Sequence, residues 1–210
     1  MVEKRIQNKG ILAKLLEQGI RVLLVKECKK INNIKIDINS SSIQIIKGEI
    51  KKITIFAEDI DYRGLLFDEF KLETNNLKIN LKLTNKELYF INNPKIKFHI
   101  SLSQNSLRTV LFSDNWNWIS NLLSKEILNN KKLEDIKILN DELLIKASEE
   151  NITFTEEEKI NIKTEQGKVY LENKNCNKSI RIPIEDKIYI KNVTIENNLI
   201  NIFAKSSISF

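Results

Sequence analysis

Few side chains in this 210-residue chain are of a type and spacing that could carry catalysis. His99 is the single histidine, and in KIKFHIS the strand alternation sets it opposite Phe98 and Ile100, toward solvent. No GxSxG stands in the chain, and no cysteine lies near His99 in sequence, so a nucleophile with its base has no local support. Asp59, Asp61, Asp68 and Glu69 form the densest acidic group. Alternation projects Asp59 and Asp61 from one face but Glu58 and Ile60 from the other, and no calcium-loop spacing with its glycine accompanies them, so they read as solvated strand charge. Cys28 and Cys176 are too few and too far apart for a disulfide framework, and no CxxC spacing is present to hold a metal. No enzymatic activity, cofactor or metal is expected.

Binding is the better prospect. Residues 1–30 hold eight basic against three acidic residues, a net of +5, whereas residues 31–130 carry +2 and residues 131–210 carry −1. A basic N-terminal segment with Lys4, Arg5 and Lys9 is attracted to a polyanion, either an anionic membrane or a nucleic acid. The strand aromatics Phe56, Tyr62, Phe67, Phe70, Tyr89, Phe90 and Phe98 are scattered. They are not interleaved with Lys or Arg as a base-stacking platform requires, which disfavours nucleic acid. Trp116 and Trp118, two apart in DNWNW, would diverge by about 200° on a helix, one to the core and one to the surface as an interfacial anchor. Leu65, Leu66 and Phe67 in the YRGLLF turn are a second candidate membrane contact.

The elements that must position these residues follow from periodicity. Residues 3 to about 29 read as one amphipathic helix, with Leu12, Leu15, Leu16, Ile20 and Leu23 at three- and four-residue spacing. Val22 to Val25 make its end apolar almost all round, so that end is expected to be enclosed by the fold. From Ile31 to Ser103 the period is two, as in Ile34, Ile36 and Ile38 or Leu77, Ile79 and Leu81, which predicts antiparallel strands. Gly48, Asn75-Asn76 and Asn92-Asn93 mark breaks. Ser103 is placed to cap a short helix carrying Leu107, Val110 and Leu111, and Ser113 or Asp114 a second one. Strands resume from Lys131, with a hairpin turning at Asn197-Asn198. The predicted fold is α+β: one domain, 1–210, with the long N-terminal helix wrapped by a curved, mainly antiparallel sheet and two short helices mid-chain. Residues 131–210 extend that sheet or form a second one. The longest apolar runs fall far short of the roughly 18 residues of a spanning helix, and the N-terminus shows no secretion signal. A cytoplasmic protein is expected, or one peripheral on the inner face of a membrane.

The segment order also resembles a known family. An N-terminal helix ending in a basic-apolar stretch, IQIIKGEIKKITIFAEDIDYRGLLFDEFKLETNNLKINL with its Gly48 and Tyr62-Arg63-Gly64-Leu65, and KIKFHISLSQNSLRTVLFS together look like the LmeA-like phospholipid-binding family, over roughly residues 10 to 130. Its fold is similar to the tubular lipid-binding proteins. The resemblance implies that a phospholipid or similar amphiphile is held in an apolar pocket and that no reaction is catalysed. The pocket wall is then expected to draw on Leu15, Leu16, Ile20 and Leu23 of the helix and on Ile53, Ile55, Leu72, Ile79, Phe98 and Ile100 of the sheet. Lys4, Arg5, Lys9, Leu66, Phe67, Trp116 and Trp118 would contact the membrane. The alternative is a protein-interaction module with a filled core.

Overall fold

The computed structural model describes residues 10–82, 87–149 and 155–207. The predicted helix is α1 (Ile11–Glu27); its expected start, with Lys4, Arg5 and Lys9, lies outside the described residues. Five strands follow: β1 (Lys30–Asn39), β2 (Glu49–Tyr62), β3 (Leu65–Lys82), β4 (Glu87–Phe90) and β5 (Lys95–Ser103). Between β1 and β2 sits a one-turn helix, α2 (Ser42–Ile46), that the periodicity did not announce. A capping box holds it: Ser41 Oγ accepts from the Gln44 N–H while the Gln44 side chain accepts from the Ser41 N–H. Gly48 stands at the α2–β2 junction rather than inside a strand. Its φ is +74°, and a Cβ there would lie 2.0 Å from the Ile79 carbonyl oxygen, so only glycine fits.

Two helices then precede the remaining strands: α3 (Gln104–Leu111) and α4 (Asn117–Glu126). Ser103 caps α3 as expected, its hydroxyl accepting from the Ser106 N–H. Neither Ser113 nor Asp114 caps α4 with its side chain. The N-cap is Trp116, and it is the Ser113 carbonyl that accepts from the Trp116 and Asn117 N–H groups. The strands β6 (Lys132–Leu139), β7 (Glu142–Ser148), β8 (Thr155–Glu165), β9 (Lys168–Asn173) and β10 (Lys178–Arg181) follow, then the hairpin β11 (Ile188–Glu196) and β12 (Leu199–Ser207). That hairpin turns where expected, Asn197 and Asn198 both in the left-handed region at φ 56° and 57°.

The α+β class with mainly antiparallel pairing is as expected; one sheet wrapping the helix is not what is found, and of the two placements expected for residues 131–210 both occur, β11 and β12 joining the larger sheet and β6–β10 forming a second. There are two sheets: β1-β2-β3-β5-β12-β11 with β4 paired to β3, and a meander β10-β9-β8-β7-β6. Among the described residues the meander's strands pair with one another, and the Ile190 N–H of β11 donates to the Gly167 carbonyl in the β8–β9 turn at 2.9 Å. The meander lies with α3 and α4 over one end of the larger sheet's inner face, where Leu102 and Ile200 join Leu123, Ile127, Ile136, Ile145 and Ile160 in one core. α1 covers the other end, packing Leu12, Leu16, Ile20 and Leu24 on Ile34, Ile36, Ile38, Ile53 and Ile79. Among the described residues α1 is packed from the side of the larger sheet. The apolar end of α1 is not enclosed: Val22, Leu23 and Val25 are exposed. Nor does Asn75-Asn76 break the chain, since Asn76 at φ 53° is absorbed as an irregularity within the continuous β3.

Candidate functional site

β1 is an edge strand, and its open backbone is met by the polar wedge of α1. Arg21 Nη2 donates to the Ile34 carbonyl at 2.8 Å, and Glu17 Oε1 accepts from the Ile38 N–H at 3.0 Å. Arg21 is thus a clamp on the β1 edge. These two bonds and the packed face of Ala13, Ile20 and Leu24 fix the rotation of α1 about its axis. What turns outward is a second apolar face, with Ile11 78% exposed, Leu15 61%, Val22 65% and Val25 53%; Leu23, 62% exposed, lies about 100° farther round the helix from Val22. From Ile11 to Val25 this stripe runs about 21 Å. Lys14 and Lys26 are exposed on the same helix. Near the helix start, α2 adds exposed Ile43 and Ile46, with Gly10 against Ser42.

At the other end of α1 lies the β2–β3 hairpin, turning through Arg63 (φ 55°) and Gly64 (φ 82°). The Asp61 carboxylate accepts from the Gly64 N–H at 2.9 Å, and Arg63 reaches Glu27 of α1 at 3.6 Å. Trp116 Nε1 donates to the Arg63 carbonyl. Because Trp116 is a cap and not a helical residue, the two tryptophans do not diverge: their rings sit 6.4 Å apart, Trp116 half-buried and Trp118 exposed. Leu66 is half-buried. Phe67, expected at the membrane, is half-buried and packs against both principal cores, joining them. Cys28, beside the hairpin, has its thiol pKa raised by burial first and then by the Asp61 and Glu27 charges.

The ten residues expected to wall an apolar pocket fall in different parts of the structure. Leu15 and Leu23 face outward. Leu16, Ile20, Ile53 and Ile79 are packed into the core beneath α1, and Ile100 against the core beneath α3 and α4. Ile55 packs against the core beneath α1 and Phe98 against Val169, Ile190 and Ala204, and with Leu72 both also belong to the floor of a groove of about 870 Å³ on the larger sheet. β1, β2, β3, β5 and β12 each contribute to that groove two residues of the outer face, away from α1, and the residue between them, and β11 contributes Lys191. Ile36 and Ala204, two of those between, are buried in the cores on the inner side.

The outer-face residues of the groove are chemically distinct from the rest. Pairing sets Lys35 opposite Phe56, Phe56 opposite Lys71, Lys71 opposite His99, and His99 opposite Phe203. Lys35 Nζ stands 5.4 Å and Lys71 Nζ 5.5 Å from the Phe56 ring centroid. The His99 and Phe203 rings stack 4.3 Å apart within 5° of parallel, and His99 Nε2 lies 3.0 Å from Asn201 Oδ1. Across the sheet the row therefore runs lysine, ring, lysine and then the stacked pair of His99 and Phe203, and Lys205 stands two residues from Phe203 on the same face of β12. The cross-strand part of this row is set by the register, which no single segment reveals. Glu73, at the rim, is engaged by Lys52. Hydrogen bonds from Lys52 and Asn75 hold its carboxyl below the usual range.

The acidic group near the hairpin is spent on structure: Asp59 accepts from Asn32, Asp61 from Gly64, and Asp68 from the Ser103 N–H. Among the described residues, no three His, Cys, Asp or Glu side chains gather as metal ligands would. No helix among them is long and apolar enough to cross a membrane. Comparison with protein-family models, with curated proteins and with solved structures finds no match to this chain.

Proposed function

We propose that this protein is a non-enzymatic, peripheral binder of phospholipid surfaces that lays the outer face of α1 into the headgroup and acyl boundary. The observation that carries the reading is the exposure of Ile11, Leu15, Val22, Leu23 and Val25 on a helix that packs on the sheet through buried Ala13 and half-buried Leu12, Leu16, Ile20 and Leu24. Exposed apolar patches of several hundred Å² mark interaction surfaces in soluble proteins. Complete burial of such a side chain contributes roughly 1.5–3 kcal/mol, so partial insertion of a few gives useful affinity. Exposed Lys14, Lys26, Lys29 and Lys30 on and after α1 add attraction to anionic headgroups, of about 1 kcal/mol for each lysine near the surface. Trp118, exposed beside the hairpin at the C-terminal end of α1, suits the interface. Amphiphile binding is supported at this surface rather than in an interior pocket, since the expected wall residues are dispersed between core and solvent.

Vesicle flotation tests the reading. The protein is expected to float with vesicles containing phosphatidylserine and much less with phosphatidylcholine alone. The double variant Leu15→Gln, Val22→Gln should stay at the bottom of the gradient. Equal flotation of that variant, or a wild-type protein that ignores both vesicles, would sink the proposal.

A further inference from the structure

On the face of the larger sheet turned away from α1, we propose a binding site for single-stranded nucleic acid, with bases stacked on Phe56 and Phe203 and phosphates held by the surrounding lysines. Five lysines, Lys35, Lys71, Lys97, Lys191 and Lys205, line the groove against two carboxylates, Asp37 and Glu73. Phe203 remains 39% exposed although stacked on His99. At the groove's end Lys205 Nζ stands 4.4 Å over the Tyr189 ring. This repeats the pairing of cation and ring seen at Phe56.

The dimensions select the ligand. The lined stretch crosses six strands, roughly 24 Å at about 4.8 Å per strand, which is longer than one nucleotide and suits a short polymer. Stacking on side chains requires unpaired bases, because a duplex keeps its ring faces covered. A protein partner fits poorly, since lysine is depleted at the centres of protein interfaces. An acyl chain has no use for five ammonium groups around an aromatic floor. The proposal does not rest on the membrane reading, which concerns the opposite side of the sheet.

Fluorescence anisotropy with fluorescein-labelled oligothymidylate and oligouridylate measures it, using the full chain at low and moderate salt. Wild-type protein should bind both strands with affinity that falls as salt rises, by about 0.7 in log–log slope for each phosphate contacted. Phe203→Leu and Phe56→Leu should each weaken binding about tenfold or more. Lys35→Gln with Lys71→Gln should flatten the salt slope. Leu15→Gln with Val22→Gln on α1 should leave binding unchanged, so failure here and failure at the membrane are separable. Undiminished binding by both ring variants, equal affinity for a duplex of the same length, or competition by free AMP as effective as by the strand would each overturn the proposal. Thermal unfolding of each variant distinguishes lost binding from lost fold, and the lysine pair serves should a ring variant not fold.

Discussion

Two cores of this molecule use the same aliphatic side chains and finish differently. Beneath α3 and α4, Leu123, Ile127, Leu128, Ile136, Ile145 and Ile160 are almost wholly removed from solvent, enclosed between the two sheets and the helices. Beneath α1 the core is closed on one side by Ile34, Ile38 and Ile53 and on the other by α1 itself, which among the described residues keeps Ile11, Leu15, Val22, Leu23 and Val25 outside. A helix that carried only what it could bury would show a polar outer face. The surplus on α1 is what a stability argument alone does not explain, and it is where a surface role has room.

The comparison is broken most directly in the complete core. Ile145→Ala, where the side chain is fully buried, is expected to cost about 2–5 kcal/mol, since close packing on every side leaves little room to collapse around the cavity. Urea unfolding gives the value. A loss below about 1 kcal/mol would mean that this core is as loosely covered as the one beneath α1. The next largest effect is at the joint between β5 and α3. Ser103→Ala removes the hydroxyl that accepts from the Ser106 N–H and should cost about 1 kcal/mol. α3 is also tied to the second sheet, with Gln104 Oε1 accepting from the Ile138 N–H at 2.9 Å and Arg108 3.4 Å from Asp135. If Ser103→Ala is silent, those ties rather than the cap set where α3 begins.

How much of this could be read beforehand depends on the range of the information. Alternation in Ile34, Ile36 and Ile38 marks a half-buried strand, and the Asn197-Asn198 turn and the Ser103 cap are equally local; all three stand where expected. The partition into two sheets is set by β5 pairing with β12, His99 opposite Phe203, across about a hundred residues, and no local pattern encodes that choice. For the same reason the row from Lys35 to Phe203 is invisible segment by segment. α1 failed differently. Its apolar arc runs nearly from Ile11 round to Leu24, wider than any one contact, so periodicity alone did not separate Leu16 and Ile20, which are packed, from Leu15 and Leu23, which are not. What decides is the pair of bonds from Arg21 and Glu17 to the β1 edge.

On the unfinished side the expected effects are smaller and one has the opposite sign. A Cβ added at Gly19 meets nothing within 4 Å, so Gly19→Ala should stabilise the protein by roughly 0.5–1 kcal/mol through helix propensity. Destabilisation instead would mean that something approaches α1 closely in solution at that point.

Leu15→Gln is expected to have the least effect on stability and says most about the comparison. Leucine and glutamine have similar helix propensities, and a side chain that exposed gives up little on losing its apolar end, so the change should stay within about 0.5 kcal/mol. The measurement is urea unfolding at two protein concentrations well apart. An unchanged, concentration-independent midpoint fits a face that stands open until it meets a membrane. A midpoint that falls by as much as for Ile145→Ala, and rises with concentration in the wild type, would mean that a second copy covers α1 in solution. The surplus apolar residues would then belong to a dimer core, and the two halves of the molecule would be finished alike.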